Sequence, residues 1–323
     1  MLRILFGFLL GALSMSALPT WAQSFPDRPV QIVVAYPPGG GSDALSRLLA
    51  PKLEKIWGQP VVVTNRPGAQ GNIGTSYALR ANPDGYTILA LITSSAVINP
   101  HIYENTGFNP IDDAAPIIRA TRQPMILVAN PNIPVETLKD IEELARAQPG
   151  KLSFGSTAAQ LELLGEHFKH TRKIDLLHVP YNGAGPAFTA ILGGTIDLLI
   201  GGTTAAIPQI NAGKLRGVAI LDRDRVPSLP DVPSAQESGY PEFNDLIEWY
   251  GYAAPAGTPP EIIAKLHAGF MQALEDPEVQ AGIQSRGFKV APSTPEEFAD
   301  QIKQDYERWG ELVKTTGVKG RSQ

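Results

Sequence analysis

None of the 323 residues is cysteine. That absence excludes disulfides, thiolate metal sites and a thiol nucleophile, and it rules out lipid attachment through cysteine after the apolar amino-terminal segment. Nor is there an excess of basic residues: Lys+Arg number 27 against Asp+Glu 32, a formal net charge of −5. A nucleic-acid partner is therefore not expected, because phosphates demand a basic surface. A small anion is still allowed, since a few oriented backbone N–H groups can hold a carboxylate without net positive charge. After residue 18 no apolar run is long enough to span a bilayer. Phosphate-binding signatures are missing too. The Gly-rich turn at 39–41 is followed by no Gly-Lys-Ser/Thr, and it is not Gly-x-Gly-x-x-Gly. Ser156 lacks the Gly-x-Ser-x-Gly elbow of a serine hydrolase. The five histidines match no strong zinc spacing, and Glu166, His167 and His170 read as the polar flank of a helix. His178 reads as a core histidine. No cofactor, metal or catalytic residue is expected.

What is present begins with Met1 and Arg3, then an apolar stretch over 4–18, then Thr20-Trp21-Ala22 with small residues at the −3 and −1 positions of a cleavage site. This is the three-part pattern of a secretory signal peptide at 1–22. Its removal takes away Arg3 and leaves 26 basic against 32 acidic residues, a net charge of −6. About 300 residues then remain, more than one hydrophobic core usually supports, so two domains are expected.

Apolar runs alternate with amphipathic stretches from end to end. Strands are expected at 31–36, 61–65, 87–92, 125–129, 151–154, 176–179, 196–200 and 217–221. Between them helices are expected from Ser42 or Asp43, at 72–81, 135–147, 160–170, 185–192 and 204–212, and later at 260–274, 277–286 and 295–315. Strands apolar throughout and each followed by a helix predict parallel sheets covered on both faces. The segment 222–244 carries Pro227, Pro230, Pro233 and Pro241 and reads as an irregular surface connection. Trp249, Tyr250 and Tyr252 read as core or hinge packing.

Chemistry is expected at strand ends. Tyr36-Pro-Pro-Gly-Gly-Gly-Ser-Asp43 joins a strand to a helix, the place where ligands bind in open α/β sheets. Its glycines allow close backbone approach, and the first N–H groups of the helix suit an anion. An ordinary βα turn would look the same locally. Thr93-Ser94-Ser95, the segment from Gly155 through Ser156, Thr157 and Ala158, then Tyr181-Asn182-Gly183, and Gly201-Gly202-Thr203 repeat the pattern with small residues and hydroxyls. Several such ends together predict a polar cleft.

These segments also carry a family resemblance. Phe25-Pro-Asp-Arg-Pro-Val-Gln-Ile-Val-Val, the Pro-Pro-Gly-Gly-Gly-Ser-Asp loop, Val62-Val-Thr-Asn-Arg-Pro-Gly-Ala, Asn82-Pro-Asp-Gly-Tyr-Thr, Val179-Pro-Tyr-Asn-Gly-Ala-Gly-Pro-Ala and Ala253-Ala-Pro-Ala-Gly-Thr-Pro make the chain resemble the Bug family. These are the periplasmic solute receptors of tripartite tricarboxylate transporters. The resemblance implies a type II periplasmic-binding-protein fold of class α/β, with two doubly wound domains joined by two crossover segments. Domain 1 would comprise 23–122 and 248–323, and domain 2 would comprise 123–247. It further implies a small carboxylate ligand captured by domain closure and delivered to the membrane permease subunits of a tripartite transporter. The protein itself would be periplasmic and would not span the membrane. The implied ligand-binding residues are Tyr36, Gly40, Gly41, Ser42, Ser94, Ser95, Ser156, Thr157, Ala158, Tyr181, Asn182, Gly202 and Thr203. One departure stands out: Leu161-Glu162 replaces a Ser-His pair common in the family. Glu162 then reads as a solvent-facing complement to a helix N-terminus, or as a partner for a donor group on the ligand. The alternatives are an exported α/β enzyme acting on a small organic acid, and the same binding fold serving as a sensor input.

Overall fold

The computed structural model describes residues 25–181, 183–244 and 246–318. The expected signal peptide at 1–22 and the candidate Asn182 lie outside the described residues. The chain opens with β1 (Val30–Val34), α1 (Gly41–Trp57), β2 (Val61–Asn65), α2 (Asn72–Leu79), β3 (Thr87–Ile92), a short α3 (Asn99–Ile102) and β4 (Ala114–Gln123). It continues through β5 (Met125–Ala129), α4 (Leu138–Ala147), β6 (Ser153–Ser156), α5 (Ala159–Arg172), β7 (Leu177–Pro180), α6 (Ala184–Leu192), β8 (Leu198–Gly202), α7 (Thr203–Asn211) and β9 (Arg216–Ile220). It ends with β10 (Glu248–Pro255), α8 (Pro260–Glu275), α9 (Pro277–Ser285), β11 (Lys289–Val290) and α10 (Pro295–Thr316).

The strands form two sheets, ordered β11-β4-β10-β3-β1-β2 and β7-β6-β8-β5-β9. Purely parallel sheets were expected, and both sheets are mixed instead. β1, β2 and β3 run parallel, as do β6, β7 and β8, but β10 is antiparallel to β3 and β4, and β5 is antiparallel to β8 and β9. The cause is the way the chain passes between sheets. β5 and β10 each enter without a crossover helix, and a strand reached directly from the carboxyl edge of its neighbours must run back along them.

α1 shows how pattern becomes packing. Leu45, Leu49 and Leu53 recur every four residues, so they fall on one face, and all three are buried against the first sheet with Ile32, Phe270 and Leu274. Gly58, at φ 66°, ends the helix in the left-handed conformation. A second cluster under α6 and α7 joins Phe188, Ile191, Leu199 and Ile220. A third is shared by the two sheets, with Leu89, Ile98, Trp249 and Phe298 meeting Leu127, Phe154, Leu164 and Phe243. α10 packs on both β4 and α5, and so bridges them. The Pro-rich segment 222–244 is irregular, as its prolines require, but it is not superficial. Val226, Leu229, Val232, Ala235, Tyr240 and Phe243 are buried.

Candidate functional site

The two sheets present their carboxyl edges to one another, and the strand register shows why. Gln123, the last residue of β4, pairs with Glu248, and two residues further along β10, Tyr250 pairs with Ile92 at the carboxyl end of β3. Two residues beyond Gln123, Met125 pairs with Gly202 at the carboxyl end of β8. Only Pro124 intervenes. The loops after β1 and β3 therefore meet those after β6 and β8 across a junction one residue long.

On the first-sheet side, residues 37–40 are exposed, and Gly40 caps α1 in an extended conformation with no side-chain cap. A cap by Ser42 or Asp43 was expected, but both lie inside the helix. Asp43 instead folds back, accepting from the Gly39 N–H at 2.9 Å, Asn65 Nδ2 at 2.9 Å and Arg47 Nε at 3.0 Å. Burial would raise its carboxyl, but these donors hold it below the usual carboxylate range. The first-turn amides of Gly41, Ser42 and Asp43 have no intrahelical acceptor. Tyr36 Oη donates to the Gln70 carbonyl at 2.9 Å, tying the β1 loop to the turn before α2. Ser94 and Ser95 open a π-turn, Ser94–Ile98, and are buried. Ser94 Oγ has no hydrogen-bond partner among the described residues, although it is 97% buried.

On the second-sheet side, Ser156 is the last residue of β6 rather than a loop residue. Thr157 is half-buried, and Ala158 caps α5 in an extended conformation, again with no side-chain cap. α5 packs against the Ser94–Ile98 turn, which brings these residues toward Ser94. Tyr181 donates its amide to Ser156 O at 2.9 Å. Gly202 caps α7 and lies so close to Gln123 that a Cβ would sit 2.9 Å from Nε2. Thr203 is fully buried and spends its hydroxyl on the Gly287 carbonyl at 3.0 Å, so its side chain ties the sheets together.

Capping sets these helix starts apart from three others, although α8, which begins at the far edge after Pro259, also lacks a side-chain cap. α4, α9 and α10 begin away from the junction and carry side-chain caps from Thr137, Asp276 and Thr294. α1, α5, α6 and α7 begin at it and carry none. A side-chain cap contributes about 1 kcal/mol, so the starts facing the junction forgo that stability and keep their amides available.

The floor of the junction is polar. Tyr250 Oη lies against Gly41 and is 2.8 Å from Gln123 Oε1 and 3.0 Å from Glu248 Oε2. Gln123 Nε2 donates to Thr204 Oγ1 at 2.6 Å, and Thr204 in turn donates to the Arg286 carbonyl. Glu248 lies deep among protein atoms yet keeps some solvent contact, as a residue at the bottom of a gap does. Burial pushes its carboxyl up to about 7, and the Tyr250 hydroxyl offsets this only in part. Burial also raises the phenols of Tyr36 and Tyr250, and the Glu248 charge adds to both.

Ser156 Oγ is 2.8 Å from His178 Nε2, and His178 Nδ1 is 3.7 Å from Glu162 Oε1. His178 is half-buried and stacks on Phe154 at 4.8 Å, so it is not simply a core histidine. Glu162 is 91% buried and does not face solvent as expected. A concavity of about 700 Å³ beside Arg28, Gln31, Arg80 and Thr87 lies at the amino ends of β1 and β3, remote from this chemistry.

The model of the tripartite tricarboxylate transporter family receptor matches residues 45–318. The chain belongs to this family. Protein BugT of Bordetella pertussis is 36% identical over 307 residues, covering 94% of each chain. Among solved structures, an R. palustris protein with adipate is 30% identical with a TM-score of 0.84, over 91% of this chain and 98% of that one. MatC from Rhodopseudomonas palustris with bound malate is 29% identical with a TM-score of 0.78, over 90% and 100%. Two α/β sheets joined by direct crossings, in a receptor of this family, constitute the type II periplasmic-binding-protein fold. The family is one of solute-binding receptors, and no helix among the described residues is long and apolar enough to cross a membrane. Reading this receptor from its sequence missed Gln123 and Glu248. The signal for Glu248 was there, a single acid in Leu246-Ile247-Glu248-Trp249-Tyr250, but the strand β10 itself was not recognised.

Proposed function

We propose that the mature chain is a periplasmic receptor that captures a small carboxylate-bearing ligand between two closing lobes and delivers it to the permease of a tripartite transporter. The lobes would be 23–122 with 248–323, and 123–247. The observation that carries this reading is the convergence of helix starts without side-chain caps from both sheets on one junction, beside the unpartnered Ser94 hydroxyl. First-turn amides and a hydroxyl are donors matched to a carboxylate. Tyr36, Gly40, Gly41, Ser42, Ser94 and Ser95 would receive it from one side. Ser156, Thr157, Ala158, Tyr181 and Asn182 would close from the other, with Gly202 and Thr203 at the hinge edge. The relatives with adipate and malate support the ligand class. Closure follows if the ligand binds the closed form better than the open one. Isothermal titration with adipate, malate and a wider acid panel, together with native mass spectrometry of the purified protein, tests the reading. Stoichiometric binding of an acid without turnover supports it, and no binding across the panel refutes it.

A second reading, ester hydrolysis, is favoured by one observation, the order Ser156–His178–Glu162. Against it, the 3.7 Å gap from His178 to Glu162 is too long for a hydrogen bond, and Ser156 is buried. Labelling of Ser156 by a fluorophosphonate would favour the hydrolase.

A further inference from the structure

The hydrogen-bond chain at the floor of the junction contains one acceptor too many. Tyr250 Oη has a single proton and two oxygens within reach, Gln123 Oε1 at 2.8 Å and Glu248 Oε2 at 3.0 Å. Beyond Gln123 the direction is set. Its Nε2 donates to Thr204 Oγ1 at 2.6 Å, and Thr204 donates to the Arg286 carbonyl at the end of α9.

With Glu248 ionised the chain fails at one link. If Tyr250 donates to the carboxylate, Gln123 Oε1 faces a phenol oxygen with no proton between them. Turning the Gln123 amide over lets Nε2 serve Tyr250, but Thr204 must then donate to Gln123, and the Arg286 carbonyl loses its donor. With a proton on Glu248 Oε2, every link has one donor: Glu248 to Tyr250, Tyr250 to Gln123, Gln123 to Thr204, and Thr204 to Arg286. That chain runs from β10 through β4 to the start of α7 in the second sheet and back to α9. It therefore crosses from one sheet to the other right beside Pro124.

Other groups around Glu248 do not change this. Tyr250 on its own strand bonds it, and Tyr36 of the β1 loop feels its charge. Both are phenols whose ionisation is pushed further up by burial. Gln123, opposite on β4, is neutral. No ion pair to a Lys, Arg or His is present for Glu248 among the described residues. The nearest candidate anchor for a ligand anion is the start of α1, where Gly41 lies against the Tyr250 hydroxyl. A ligand carboxylate held there would meet an ionised Glu248 as a like charge, and would meet a protonated Glu248 as a neutral neighbour.

We propose that Glu248 is a proton-binding specificity residue of the ligand site, and that capture of a fully ionised carboxylate ligand is coupled to uptake of one proton by its side chain. This deepens the receptor reading and rests on it. The receptor would then bind carboxylates more tightly in mildly acidic than in alkaline surroundings, and the proton would leave with the ligand on opening.

The test is isothermal titration calorimetry of the full mature chain with malate and adipate between pH 6 and 9, in buffers of differing ionisation enthalpy. Both acids are fully ionised across the upper part of that range, so a slope there belongs to the protein. The expected result is a Kd that rises by up to tenfold per pH unit above about pH 7, with proton uptake approaching one per ligand. Glu248→Gln retains a donor toward Tyr250. It should bind with the affinity the wild type shows at low pH, with a flat pH profile and no proton uptake. A flat wild-type profile with no uptake overturns the proposal, and that measurement needs no variant to fold. An unchanged slope in Glu248→Gln also overturns it, by assigning the proton to another group. Failure of both acids to bind at every pH refutes the receptor reading, and the coupling falls with it.

Discussion

Gly41→Ala isolates the close approach of α1 to Tyr250 on which the proposed ligand site is built. A Cβ on Gly41 would lie 2.6 Å from Tyr250 Oη, 2.9 Å from Cζ and 3.0 Å from Cε1. Ordinary contact begins near 3.4 Å, so the ring or the helix start must shift by several tenths of an ångström. The ring has little room, because it sits edge-on to Phe288 at 5.0 Å and its hydroxyl bonds Gln123 and Glu248. Overpacking of this kind costs about 1–3 kcal/mol. Moving Tyr250 away instead gives up hydrogen bonds worth about 0.5–1.5 kcal/mol each. If the cost falls mainly on the closed form, affinity drops by about tenfold for each 1.4 kcal/mol. Gly40→Ala is the matched comparison. Gly40 has φ −76°, which alanine adopts freely, and the nearest atom to its Cβ is Pro37 O at 3.7 Å. Both variants keep every backbone N–H. Thermal melts and calorimetric titration with the same acids should show Gly41→Ala weakened in both, and Gly40→Ala close to wild type in stability with a much smaller loss of affinity. Equal behaviour of the two would refute the argument that Tyr250 packs on α1 at this point.

Ser94→Ala should leave the melting temperature of the ligand-free protein unchanged or slightly raised, because it deletes a buried hydroxyl with no partner. It should weaken carboxylate binding by about 0.5–1.5 kcal/mol, read by titration, if that hydroxyl contacts the ligand. Glu248 binds its proton more tightly in the folded chain, near pH 7, than in the unfolded chain. Its contribution is therefore present at low pH and lost as pH rises from the ordinary carboxyl range through about 7. Melts at pH 5 and 8 should show a larger drop for wild type than for Glu248→Gln. Trp249→Phe removes the indole N–H that donates to the buried Asp305 at 2.8 Å. It should cost about 1–3 kcal/mol, measured by chemical denaturation. Asp305, whose carboxyl burial already pushes up, should become harder still to ionise in that variant.

Much of the molecule could be read from periodicity because its elements are strongly patterned. Val61–Asn65, Thr87–Ile92 and Met125–Ala129 are bounded by turn residues and apolar within, and they fall where the pattern places them. β4 and β10 were not recognised as strands. Their partners lie more than a hundred residues away in sequence, and their mixed composition, from Ala114 to Gln123 and from Glu248 to Pro255, shows no clear alternation. Capping was misjudged at α1 because Ser42 and Asp43 are good cap residues, yet Asp43 is recruited by Arg47 and Asn65. Strand-end glycines and hydroxyls pointed to a region, but the polar floor of that region comes from tertiary pairing. Gln123 faces Tyr250 only because two distant strands lie side by side.

The single proline between β4 and β5 has a mechanical consequence. If the two proposed lobes move on closure, this short tether, with the second passage over 221–247, would let them swing about it but hardly slide. In a swing, displacement grows with distance from the pivot. Glu248 and Gln123 sit beside the pivot and would stay nearly in place, while the loops after β1 and β7, three strands out in each sheet, would part the most. An arriving anion would then find the inner surface already formed, and only the outer wall would have to travel to enclose it.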